Sequence, residues 1–572
     1  MDVGAIARLI AVARGEEPAD LVLKGGRVVN VFTGEVLPAD VAVAGGAIAG
    51  VGEYSRARTV MEVEGRFVLP GLIDAHVHIE SSLLHPASYA AAVVPRGTTV
   101  VIADPHEIAN VLGMAGLEFM LRATEGLPLD VFFMVPSCVP ATALETTGGT
   151  LGDRDIAAAL ALSPRCLGLG EFMDFPGVLR RDPRVLARLM PAWEQNRPID
   201  GHAPGVTGRD LEAYLATGAA TDHESTTVAE ALEKIRAGVH VILREGSAAR
   251  NLADLLPLVD DNTYPLVSFG SDDRHAPDLL REGGLDCFLR RAVAAGLPPA
   301  RAVRLASLNT ARHYGLRDRG AVAPGYRADL VVVRDLKDFE VELVYKNGNL
   351  VAAGGRLLRL PGLHRDPRTR NTVRLTGLTG RFAIRVPHPE AVARVIEVVP
   401  GQILTRQTFV RAGDVGAGRD VLPLAVVERH GKTGHVALGL VRGFGLRRGA
   451  LASTVAHDHH NLILVGTGEA ELEFAAAVVE GIGGGLAVVA EGEVLAALPL
   501  PVAGLMAEGE PHEVAEGYER VEAAARALGC TLPSPFMTLS FLGLAVIPEL
   551  RLTDRGLVDV LRGVLVDLWV GP

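Results

Sequence analysis

The stretch GLIDAHVHIESSLLHP, residues 71–86, follows the apolar run FVLP (67–70) and sets Asp74, His76 and His78 at alternate positions. Successive side chains of an extended strand point to opposite sides, so these three share one side while Ala75 and Val77 take the other. A strand that turns a carboxylate and two imidazoles the same way either helps hold a metal at its open end or is a solvated strand tip. One His-x-His pair does not separate these readings.

Working outward, strand-like and helix-like stretches alternate over residues 70–316. Eight short apolar runs carry chemistry at their C-terminal ends: FVLPGLIDAHVHIE (67–80), TTVVIADPHE (98–107), DVFFMVPSC (130–138), CLGLGEFMD (166–174), PIDGHAPG (198–205), AATDHES (219–225), VHVILREGS (239–247) and PLVSFGSDDRH (265–275). Helical segments such as SYAAAVVPRG (88–97) and TVAEALEKIRAG (227–238) lie between them. That order predicts parallel strands with right-handed crossovers. Eight units in about 250 residues fit an α/β fold of the (β/α)8 TIM-barrel type, whose sites lie at the strands' C-terminal ends.

The flanks have another texture. Residues 20–52 and 328–355 read as short strands with tight turns, Asn347-Gly348 being a hairpin signal, and together suggest one small sheet domain interrupted by the barrel. The last part opens with the strand-like GRFAIRV (380–386) and ARVIEVVP (393–400) and later has an amphipathic helix, EAELEFAAAVVEG (469–481). The glycines of GIGGGLAVVA (481–490) follow a helix and precede a strand, the reverse of a dinucleotide-binding turn, and so read as a helix-to-strand connection. Residues 1–20 read as a short surface helix whose apolar runs are too short for a signal sequence or membrane span.

Composition narrows the function. A net charge of -12 opposes a phosphate-backbone binder, and 48% hydrophobic residues allow sizeable cores. Cys138, Cys166, Cys287 and Cys530 are scattered without a C-x-x-C, so neither a disulfide framework nor a thiolate metal site is expected. A cytoplasmic protein is expected, acting on a small molecule, with no nucleic-acid or membrane partner.

The polar residues at the strand ends form a pattern: His76 and His78 on the first, Glu171 on the fourth, His202 on the fifth, His223 on the sixth and Asp272 on the eighth. Four imidazoles and two carboxylates suit one or two divalent ions such as manganese, iron or zinc. Independent arrival of all six at one end of a barrel is a much poorer explanation. A carboxylate at Glu171 could bridge two cations, offset their repulsion and help acidify water.

This arrangement resembles the amidohydrolase superfamily, which implies a metal-dependent hydrolase barrel, a small β-sandwich built from segments on both sides of it, and Glu171 in place of the carboxylated lysine common there. HIESS (78–82), DPHEIANVLG (104–113), GEFMDFPGV (170–178), GHAPGVTG (201–208), DHEST (222–226), REGSAARN (244–251), SDDRH (271–275) and GFGLRRGALASTVAHDHHN (443–461) together resemble the adenine deaminase family. The resemblance implies four parts: residues 1–69, helix and first part of the sandwich; 70–316, barrel; 317–366, second part of the sandwich; and 367–572, a C-terminal α/β domain of the adenine deaminase type. It also implies hydrolysis of adenine to hypoxanthine and ammonia in purine salvage, a manganese-favouring binuclear centre, and a homo-oligomer. His76, His78, Glu171, His202, His223 and Asp272 would be ligands, and Asp272 and Glu171 would be catalytic. Glu80, His106, Glu107 and Asp273 would face the substrate.

Glu80, Glu107 and Glu224 are candidates for the acid that protonates the ring, each equally readable as a partner for a ligating histidine. His459 stands where the family has serine, so residues 457–460 read either as part of the site or as a histidine-rich loop supporting folding or subunit contact. Rival functions are cyclic-amide or N-acyl hydrolysis on the same scaffold and a catalytically silent binding subunit.

Overall fold

The computed structural model describes residues 2–400 and 402–570. All eight expected strands form, as Leu72–Val77, Thr98–Ala103, Asp130–Val135, Cys166–Phe172, Ile199–Gly201, Thr221–Asp222, His240–Arg244 and Val267–Gly270. The first five pair in parallel as one sheet and the last three as another. Parallel bridges at Ile199–Ala219 and Val77–Asp272 join the two sheets at both seams, giving a curled parallel sheet. Every residue of the first, second, seventh and eighth strands is buried. Continuous apolar runs are what a parallel sheet covered on both faces requires.

The crossovers are helical. Val228–Arg236 shows why: the Thr227 side chain accepts from the Glu230 amide, Lys234 and Arg236 occupy the last turn, and Ala231, Lys234 and Ile235 form the buried stripe.

FVLPGLIDAHVHIE is not one strand, contrary to the sequence expectation. Phe67–Pro70 pairs antiparallel with Leu330–Val333 in a seven-stranded sheet that also contains Arg27–Val29 and Val341–Lys346. Gly71 then donates to Asp329 O while Leu72 donates to Gly97 O, so the chain changes sheets across one peptide. Side chains of this sheet and of a four-stranded sheet from the N-terminal segment, including Leu23, Val41, Val68, Leu330 and Val332, share one buried cluster. Chain segments on both sides of the parallel strands therefore build one unit.

The N-terminal helix is Val3–Ala13, mostly exposed. No helix among the described residues is long and apolar enough to cross a membrane. The C-terminal part centres on a nine-stranded sheet with helices Glu469–Gly481 and Pro511–Ala527. The glycines after Glu469–Gly481 lead into strand Gly485–Ala490, the connection expected. GRFAIRV does not form a strand: Phe382 alone is buried there, anchored in a core cluster, while Arg381 binds Gly434 O.

Candidate metal and substrate site

The strand ends converge. His78 Nδ1 donates to Asp104 O at 2.9 Å, which leaves the Nε2 lone pair free. That Nε2 faces His76 Nε2 at 3.1 Å, and Asp272 Oδ1 lies 3.4 Å from the first and 3.7 Å from the second. His223 stacks on His76 with ring centroids 4.1 Å apart. Glu171 spans the site: Oε1 is 3.4 Å from His78 Nε2, while Oε2 is 2.8 Å from His202 Nδ1 and 3.2 Å from His223 Nε2. All six residues are buried. Two triads among them, His76–His78–Asp272 and His76–Glu171–His223, keep their donor atoms within 4.8 Å of one another. Ring nitrogens and carboxylates turned onto common points suit a divalent cation, which relieves their mutual crowding.

Burial by itself would raise the Glu171 carboxyl, but hydrogen bonds from His202 and His223 outweigh it and hold the pKa well below the usual range. Asp272 behaves alike: burial opposes its charge, and His78 together with the Arg244 guanidinium keeps it ionised. Its backbone is left-handed, φ 53°, at the seam where its amide donates to His76 O. Asp tolerates this region better than most residues, and the turn directs the carboxylate inward from the strand end.

The local sequence explains the positioning. Gly170 precedes Glu171 because a Cβ there would lie 2.2 Å from Asp104 Oδ2, the atom that accepts the Glu171 amide at 2.9 Å. Asp74 shares a strand face with His76 but lies deeper, accepting the Ser271 amide at 2.9 Å. Lys234, fully buried, donates to Asp222 Oδ2, Ala203 O, Ser225 Oγ and Glu230 Oε1, tying the fifth strand end, behind His202, to the sixth, beneath His223. Replacing Lys234 by Met leaves Asp222 buried without its partner and is expected to cost about 3–5 kcal/mol. A thermal unfolding midpoint equal to that of the unaltered protein would remove this network from the supporting role. Burial raises the Asp222 carboxyl, yet Lys234 and Ser225 hold it at about 2. A depressed carboxylate stabilises above its unfolded pKa, so this contribution is complete above about pH 4 and disappears as pH falls towards 2.

The cavity over the strand ends is lined by His78, His106, Glu107, Glu171, His202, His223, Asp272 and Asp273 among others. Three of the four residues expected to face substrate, His106, Glu107 and Asp273, are thus brought to it, and Glu80 stands outside that lining. Asp273 accepts from Ser81 Oγ at 2.5 Å. The candidate acids differ sharply in setting. Burial pushes Glu80 up to about 7, and its Oε1 accepts the Ile108 amide at 3.2 Å. Burial disfavours charge on Glu107 as well, but His457, His460 and His106 reverse the effect and hold it well below 4.5. Both Glu224 oxygens accept from Arg244.

Two contributors, Arg244 and Asp104, escaped the sequence reading, and two more, His457 and Asp458, were left undecided by it. Arg244 ends the seventh strand and bonds Asp272 Oδ2 at 2.9 Å as well as Glu224; a strand-end polar residue was a signal there. Asp104 orients the Glu171 amide, and its place before Pro105 and His106 marked it. His457 and Asp458 come from the loop between strands Ala450–Ser453 and Leu462–Gly466 of the C-terminal part and reach the same cavity. His457 Nδ1 donates to Glu107 Oε1 at 2.5 Å, and His460 Nε2 bonds Glu107 Oε2. The histidine-rich loop thus lines the candidate cavity through His457 and Asp458, while His459 turns away, its Nδ1 accepting the Asn461 amide.

Comparison with known proteins gives the family. Residues 67–351 match the Amidohydrolase family, and residues 402–563 match the Adenine deaminase C-terminal domain. The chain is 48% identical over 563 residues to an adenine deaminase of Desulfatibacillum aliphaticivorans, covering 97% of this chain and 98% of that one. It is 50% identical over 562 residues to that of Methanothrix thermoacetophila, again 97% and 98%, and 44% identical over 575 residues to that of Kosmotoga olearia, 99% of both. Near-identical spans and two matched regions that both contribute to one cavity leave a single assignment: the chain belongs to the adenine deaminase family of amidohydrolases.

Proposed function

We infer that this protein is a hydrolase that converts adenine and water to hypoxanthine and ammonia. The observation that carries the reading is the full-length kinship to adenine deaminases, 48% identity over 97% of the chain, in a protein whose strand ends collect the donors the reaction needs.

We assign His76, His78, Glu171, His202, His223 and Asp272 as the residues that would hold two divalent ions, Glu171 being the carboxylate suited to serve both. Such ions supply a nucleophile at neutral pH by lowering the pKa of water. Manganese is our first choice, ahead of iron and zinc, on the kinship to adenine deaminases; a set of imidazoles and carboxylates suits all three. Asp272 takes the proton of the attacking water and hands it to the departing amine. Asp273 faces a ring nitrogen. Glu80, Glu107 and Glu224 stay the candidate acids for the ring: burial pushes Glu80 up to about 7, but it stands outside the cavity lining that holds the other two. Glu107 and Glu224 already accept from cationic or imidazole donors.

The pairing circuit supports a closed (β/α)8 barrel over residues 70–316, flanked by a β-sandwich from 1–69 and 317–366 and followed by a C-terminal domain over 367–572. We place the protein in a reducing cytoplasm, where its four buried free cysteines stay reduced, as a homo-oligomer serving purine salvage.

Ammonia release from adenine, adenosine and dihydroorotate, measured in parallel on manganese-loaded enzyme, tests the assignment. Turnover of adenine well above both others is expected. Equal or better turnover of adenosine rejects the free-base substrate, and activity confined to dihydroorotate moves the protein to cyclic-amide hydrolysis.

A further inference from the structure

The wall of the cavity facing the strand ends comes from the C-terminal part. Ile403, Phe541, Leu544 and Ile547 give it apolar surface, and His457 and Asp458 give it polar groups. Both polar residues are deeply buried, 3% and 2% exposed. The His457 ring cannot turn freely: Nδ1 is committed to Glu107, and the ring stacks on Phe541 with centroids 4.7 Å apart and planes 17° from parallel. Its Nε2 finds no hydrogen-bond partner among the described residues, and neither does Asp458 Oδ2. Buried polar atoms without partners are costly and rare, and two adjacent residues supplying them to one cavity wall point to a ligand that pairs with both.

The ligand's orientation follows from His106. Its Nδ1 is 3.3 Å from Glu171 Oε1, and its Nε2 is 3.8 Å from Asp458 Oδ1, so His106 stands between the donor cluster and the unpartnered pair. Adenine must turn C6 to the cluster. Its opposite edge, carrying the N3 acceptor and the N9 hydrogen, then faces the C-terminal wall.

We propose that His457 and Asp458 recognise this far edge, with His457 Nε2 donating to N3 and Asp458 Oδ2 accepting the N9 hydrogen. The proposal rests on the adenine deaminase reading and adds the source of free-base selectivity: a nucleoside has no N9 hydrogen, and Asp458 then remains unpaired. Donation through both ring nitrogens requires the imidazolium form of His457. Burial opposes that form, and the Glu107 carboxylate outweighs burial, raising the pKa to about 9. The C-terminal part is thus a component of the substrate site, contributing contacts that the parallel strands lack.

The test uses full-length manganese-loaded enzyme and its His457→Ala, Asp458→Ala and Asp458→Asn variants, with metal content measured for each. KM and kcat for adenine are determined together with inhibition constants for 9-methyladenine and 3-deazaadenine. Loss of one buried hydrogen bond is expected to raise KM for adenine about 10- to 100-fold in His457→Ala and Asp458→Ala at unchanged metal content. The preference for adenine over 9-methyladenine collapses towards unity in Asp458→Ala, and the preference over 3-deazaadenine collapses in His457→Ala. Asp458→Asn, which keeps a carbonyl acceptor, retains most of the discrimination. Unaltered KM and analogue preferences overturn the proposal, as does loss of bound metal in step with activity. Absence of ammonia release from adenine by the unaltered enzyme overturns the deaminase reading itself.

Discussion

Replacing Asp272 by Asn is expected to lower turnover of adenine by about 10²- to 10⁴-fold, the usual contribution of a positioned acid-base group. Asn keeps the shape and can still accept from Arg244, whose guanidinium also retains Glu224. What it loses is basicity at the one carboxylate that touches both imidazoles of the first strand end, 3.4 Å from His78 and 3.7 Å from His76. Because Asp272 is also assigned as a ligand, the informative measurement is single-turnover ammonia release beside metal analysis. Near-normal turnover with full metal would end the proton-transfer assignment. A parallel fall in metal would transfer the effect to ion binding.

Glu171→Gln acts on the other side of the cluster. Its carboxylate reaches His78 through one oxygen and His202 and His223 through the other, so a neutral amide removes charge from the middle of the donor set. Metal affinity should fall by more than the roughly 10- to 100-fold that follows loss of an outer hydrogen-bond partner, and activity should fall with it. Two full equivalents of bound ion in purified Glu171→Gln would argue against a bridging role. The fold should survive, because the Glu171 amide still binds Asp104.

Both positions are legible in the amino-acid sequence. Asp272 and Glu171 lie at the C-terminal ends of apolar runs, as do His76, His78, His202 and His223, and strand parity with the βα alternation places such ends on one rim. Local patterning gives each side chain its element, its end and its side. Family motifs added the chemistry expected there.

Other features depend on what packs against what. The run at 67–80 looks continuous, but Gly71 divides it between two sheets because Pro70 and Leu330 belong to one ladder and Leu72 to another. Three glutamates are equivalent as candidate acids in sequence and differ only in their spatial setting: Arg244 for Glu224, His457 and His460 for Glu107, and burial beside Glu107 and His78 for Glu80. A pKa is set by neighbours within a few ångströms, which sequence distance does not reveal.

The His457–Glu107 contact joins residues 350 positions apart. Nothing in the periodicity of either segment encodes it, since a loop's reach across a domain boundary is fixed by the cores that carry it. The sequence by itself determined the strand order, the rim and the six donors on it, because those follow from short-range patterns repeated along the chain. Only the tertiary structure decided that a loop from the C-terminal sheet lines the cavity and which neighbours each candidate carboxyl group meets, because both depend on long-range packing.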